Sequence, residues 1–247
     1  MVLPLETKLK SDKYFFSMSI ILYIIMIIGF AHSFFFRASV LHRGPLSPIF
    51  IIHSVLNIAW FTALVSQSWL AIRNRIVNHK RNGIYWFFLS ILVLLVNCVI
   101  VYNAAHKPPG PDGSLQMDVV GMVTGNTIIT IQFVCFVGLS YFFRHRPEIH
   151  KRMILFATIG MIGTALDRFQ RYEMLRFATS EMNTLIYNLM IPELLFFSIL
   201  GYDLVTRRRP YFVTVILLLV NLSVIFIFYL VFATGIAQKY VEFLRVH

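Results

Sequence analysis

The residues able to do chemistry in this chain sit where charge and polarity are expensive. His32, His53, Asp167 and Glu193 fall within long apolar runs or at their rims. Neutral imidazoles ligate transition metals or the iron of a haem, and carboxylates carry protons or complete a metal's coordination. An ionisable group inside a bilayer normally faces a bundle interior or a wet cavity, where it marks a candidate site. Asn57, Trp60 and Gln67 follow His53 in one run, and Arg168 and Arg171 follow Asp167.

Helical rise, about 1.5 Å per residue, converts position into depth. His32 and His53 both come roughly 6 Å inside one surface, on consecutive antiparallel segments. Asp167 falls near that level, Asn126 somewhat deeper, and Asn57 and Glu193 at roughly 12–14 Å. Polar side chains from several segments are thus expected to converge in the outer half of the molecule.

Three readings of that convergence stand side by side. In the first, His32 and His53 ligate a haem, with Arg168 and Arg171 toward its propionates. With Asp167 or Glu193 added, they suit non-haem iron, zinc or copper instead. In the second, the cavity binds a small polar ligand or relays protons. In the third, the histidines link helices and Asp167 pairs with Arg168 or Arg171, in an accessory subunit or scaffold with partner membrane subunits. Trp60 packs against the same cavity or stacks on a cofactor. No segment carries the two spaced histidines of a di-haem cytochrome, and no His-x-x-x-His, Glu-x-x-His, Cys-x-x-Cys, Gly-rich phosphate loop or Gly-x-Ser-x-Gly occurs. The last apolar run lacks lysine, which excludes a retinal Schiff base there.

The elements that must hold these groups are seven apolar stretches, approximately 14–36, 49–72, 84–105, 119–143, 153–171, 184–204 and 211–236. Apolar residues make up 58% and charged ones 13% of the 247, against about 25% charged in soluble domains. Mean hydropathy is +0.74. The expected fold is all-α, one integral domain over 1–247, a seven-transmembrane helix bundle in a lipid bilayer. The net charge of +11 is spread over short loops, so it does not form a nucleic-acid-binding face. Cys98 and Cys135 both fall inside apolar runs and read as small buried residues. The first run reads as an uncleaved span, because Ala31-His32-Ser33 leads into Phe34-Phe35-Phe36 instead of a cleavage site.

Two runs carry irregularities. The uncharged part of the fifth ends at Leu166, about 14 residues in, short of the ~20 a span needs, so its helix must carry Asp167 and Arg168. In the sixth, Pro192 cannot donate to the carbonyl of Asn188 and bends the helix beside Glu193.

Counting Lys and Arg gives fourteen on one side and eight on the other, which places the N-terminus in the cytoplasm and the C-terminus outside. The cytoplasmic count includes a repeated elbow. Arg73-x-Arg75-x-x-x-His79-Lys80-Arg81 recurs as Arg144-x-Arg146-x-x-x-His150-Lys151-Arg152, 71 residues later. Duplication of a helical hairpin, spans two–three becoming four–five, accounts for it. Such elbows anchor helix ends at headgroups, and the alternative is a paired anion or partner site built by His79 and His150.

The pattern resembles a group of small bacterial multi-pass membrane proteins with no assigned function. The residues that carry the likeness are His53, Trp60, Gln67, the elbow His79 to Gly83, and Tyr202-Asp203-Leu204-Val205-Thr206-Arg207 before Pro210. That group has a His immediately before the Pro, where this chain has Arg209. The likeness spans roughly residues 49–215. It implies a seven-helix fold in a bacterial inner membrane, and no reaction.

Overall fold

The computed structural model describes residues 5–41, 44–108, 110, 115–172, 179, 182, 184 and 186–246. Among them the regular structure is entirely helical. The main helices are α1 (Leu5–Phe30), α2 (Pro48–Ile72), α3 (Ile76–Ala105), α4 (Met117–Phe142), α5 (Pro147–Met161), α6 (Ile191–Arg207), α7 (Phe212–Ala233) and α8 (Ile236–Val246). Among the described residues, seven segments are long and apolar enough to cross a membrane: Lys13–Phe35, Pro48–Ile72, Ile76–Ala105, Met117–Phe142, Pro147–Gln170, Ile186–Arg207 and Phe212–Ala233. The chain is a polytopic membrane protein.

These segments match the apolar runs, with instructive differences at their ends. The basic elbows are mostly helix. Only Arg73 to Arg75 turn the chain between α2 and α3, with Asn74 in the left-handed region at φ 54, a conformation Asn tolerates. His79, Lys80 and Arg81 therefore sit in the opening turns of α3, and His150, Lys151 and Arg152 in those of α5. The fifth span does continue through the charged residues. It breaks at Ile162, resumes over Gly163–Leu166 and tightens into a 3₁₀ turn at Asp167–Arg171. Before Pro192 the sixth span widens into a π turn, Ile186–Met190, which absorbs the missing backbone donor.

The spans are unequally buried. The fifth has 61% of its apolar window inside the protein and the seventh only 17%, so α5 is the central post and α7 a peripheral one. The core joins Leu22 and Met26 of α1, Val93 of α3, Phe133 of α4, Phe156 and Ile159 of α5 and Ile199 of α6. At Gly29, α1 runs so near the fifth span that an added Cβ would collide with the Ala165 carbonyl oxygen. No other residue fits there.

The C-terminal segment is not a simple tail. Gly235 at φ +72 reverses the chain, and α8 folds back across the bundle end opposite the elbows. Ala237 and Val241 bury against Ala104, Ala105, Val119, Val120 and Val123. Arg245 holds α8 there by donating to the carbonyls of Ala105 and Lys107, at 2.7 and 2.6 Å.

Candidate functional site

Polar side chains gather at three levels, the first two where α4, α5, α6 and α7 meet, and the first of these is the elbow end. Pro147 opens α5, so Glu148, Lys151 and Arg152 occupy its first turns. Asp203 and Arg207 close α6, while Tyr211 and Thr214 begin α7. Arg152 and Asp203 have no solvent exposure and pair directly. Arg152 also donates Nε–H to Thr214 Oγ1 at 3.0 Å, and Nη1 to the backbone oxygen and Oε2 of Glu148, each at 2.8 Å. The Thr214 hydroxyl accepts from Arg152 and donates to Asp203 Oδ2, using both of its capacities. Glu148 further pairs with Lys151 and Arg207. Both guanidinium groups lie over the Tyr211 ring, at 4.6 and 4.7 Å. Taking these charges out of water costs several kcal/mol per ion, so they are tolerable only as a closed, hydrogen-bonded set.

Beside this network the two elbow histidines meet. The rings of His79 and His150 are 6.2 Å apart and perpendicular. Each Nδ1 engages the preceding helix: that of His79 faces the Gln67 carbonyl at 3.2 Å, and that of His150 faces Ser140 Oγ and carbonyl at 2.8 and 3.0 Å.

The second level lies deeper. Gln132 of α4 donates to Asn221 of α7 at 3.1 Å, and Asn221 donates to Glu193 Oε1 of α6 at 2.7 Å. Glu193 Oε2 is buried and has no hydrogen-bond partner among the described residues. Gly160 of α5 makes room, since a Cβ there would come within 3.1 Å of Gln132 Oε1. A groove of about 270 Å³ opens beside the trio, between Ile128, Ile131, Gln132, Cys135 and Phe136 of α4 and Val220, Val224 and Ile227 of α7. Ten residues, or about 15 Å, separate Glu193 from Asp203 along α6.

The third level is the end opposite the elbows. Asp167, exposed, accepts from Asn188 Nδ2 at 2.9 Å and Gln170 Nε2 at 3.0 Å. Arg168 donates to the Thr164 carbonyl and lies 4.6 Å over the Phe30 ring. The side chain of Arg171 lies outside the described residues.

The candidate residues read from sequence thus divide among several environments. His32 stacks on Tyr172 with ring centroids 3.9 Å apart. His53, half-buried on α2, has Asn57, Asn97 and the Arg168 charge as neighbours. Glu193 belongs with Gln132 and Asn221, and Asp167 with Asn188. Trp60 is buried, donating to Thr158 Oγ1 at 3.2 Å and meeting Phe133 edge-on. Among the described residues, no group of three or more His, Cys, Asp or Glu could hold a metal ion. The residues that depth alone did not single out are Arg152, Asp203, Thr214 and Asn221. The repeated elbow and the Tyr202-Asp203 sequence pointed at two of them.

Comparison with family models, with curated proteins and with solved structures finds no match to the chain.

Proposed function

We propose that this protein binds protons, or a small polar ligand exchanging protons, within the membrane, and passes them along the face shared by α4, α5, α6 and α7. Glu193 is the central group. The observation that carries this reading is its Oε2: a buried carboxyl oxygen, at mid-depth, with no partner among the described residues. Intramembrane carboxylates at successive depths are the parts from which proton relays are built, and here Asp167, Glu193 and Asp203 supply one at each level. The elbow end is the cytoplasmic one in this proposal, by its excess of Lys and Arg, and the membrane a bacterial inner membrane, by the resemblance of the elbow and Tyr-Asp-x-x-Thr-Arg sequences.

Proteoliposomes with a trapped pH dye and an imposed membrane potential test it. Proton uptake should exceed that of empty liposomes, disappear in Glu193→Gln and persist in Lys80→Gln. Equal uptake in wild type, Glu193→Gln and empty liposomes refutes the relay.

A second reading keeps a haem or transition metal at His32 and His53. What speaks for it is that Arg168, the residue expected to meet a propionate, is within electrostatic reach of His53. The absorption spectrum and metal content of the same purified protein decide: a Soret band, or stoichiometric iron, zinc or copper lost in His53→Ala, would establish that site. A copurifying membrane protein, with no flux and no metal, would instead identify an accessory subunit.

A further inference from the structure

On the opposite flank of the bundle, α1 and α2 leave a groove of about 470 Å³ near the elbow end, lined by Phe16, Tyr23, Thr62, Val65, Ser66 and Trp69. The hydroxyls of two lining residues, Thr62 and Ser66, are already satisfied by the α2 backbone. Thr62 donates to the Ile58 carbonyl at 2.8 Å and Ser66 to the Ala63 carbonyl at 3.0 Å, so the surface offered is hydrocarbon. From Phe16 to Tyr23 it extends about 10 Å along α1, most of a leaflet's ~15 Å depth.

The rim toward the elbow is different. Phe16 and Trp69 close it with ring centroids 5.4 Å apart, and the Arg73 guanidinium rests 4.3 Å above the Trp69 ring. Arg73 is exposed and takes part in no ion pair among the described residues. Residues 73–83 hold four Lys or Arg and no acid. A planar fork of donors held over a tryptophan at a helix end suits a phosphate.

We propose that this groove binds an anionic phospholipid of the elbow-side leaflet, one acyl chain between α1 and α2 and the phosphate on Arg73. The site is independent of the relay, and neither proposal falls with the other.

Purified protein equilibrated with a mixture of phosphatidylglycerol and phosphatidylcholine and weighed by native mass spectrometry provides the test. Wild type should retain one phosphatidylglycerol in preference to phosphatidylcholine. Arg73→Gln should lower that retention about tenfold, as loss of a charge-assisted contact does, while Arg144→Gln at the second elbow leaves it unchanged. Ser66→Trp, which fills the groove, should abolish retention of both lipids. Equal retention of the two lipids by wild type, an equal drop in Arg144→Gln, or wild-type retention by a folded Ser66→Trp protein would overturn the proposal.

Discussion

The two elbows carry the same basic motif and put it to different uses. In both, the first arginine lies over an aromatic ring at the end of the preceding helix: Arg73 over Trp69 at 4.3 Å, Arg144 over Tyr141 at 4.5 Å. In both, the histidine turns back to that helix. Beyond this point they part. Lys80 and Arg81 are exposed, whereas Lys151 is paired and Arg152 completely buried. Two differences account for it. Val77, 80% exposed, stands where the second elbow has Glu148. And α5 is the central helix, flanked by α6 and α7, which bring Asp203 and Thr214 to its arginine. The motif supplies cations; the neighbours decide whether they stay exposed or lock helices together.

Substitutions can break that contrast or sharpen it. The largest effect belongs to Asp203→Ala, which takes from the buried Arg152 its fully buried counter-ion, leaves it only the partly exposed Glu148 among the described carboxylates, and should cost about 3–5 kcal/mol. Thermal unfolding in detergent measures it, and Arg81→Ala, at the first-elbow position that corresponds to Arg152, should leave the midpoint in place. Joint replacement of Arg152 by Met and Asp203 by Leu should recover most of the loss, because no charge is then left without its partner. If the double variant is as unstable as Asp203→Ala, the network acts through something other than charge compensation. Next comes Glu148→Val, which gives the second elbow the residue of the first. It removes the carboxylate shared by Lys151, Arg152 and Arg207 and should cost about 1–3 kcal/mol by the same assay. The smallest effect is the reverse exchange. Val77→Glu places a carboxylate three and four residues before Lys80 and Arg81 and should stabilise by about 0.3–0.5 kcal/mol, screened away in high salt.

How much of this was legible beforehand differs between fold and site. Hydropathy located all seven spans, because a bilayer demands long apolar segments whatever their packing. It placed the openings of α3 and α5 too late, since charged residues at a headgroup surface depress hydropathy without breaking a helix. It missed α8, whose apolar residues alternate with polar ones around the helix. For the site, counting residues gave depth but not direction. His53 and Glu193 were each placed in the outer half, yet one looks toward Asn97 and Arg168 and the other toward Asn221. A helix turns 100° per residue, so facing depends on which helices are neighbours, and a single sequence does not state that. Asp203 and Arg152 stood out as members of separate motifs, 51 positions apart. Only the packing of α6 on α5 joins them.

That separation bears on how the protein is made. The fifth span has the lowest mean hydropathy of the seven, 1.2, against 2.9 for the last. As it leaves the insertion machinery, its buried-to-be arginine has only Glu148, one turn back, to neutralise it. Its final counter-ion is still untranslated. A nascent chain halted between segments five and six should therefore hold its fifth segment less firmly than its seventh could hold alone.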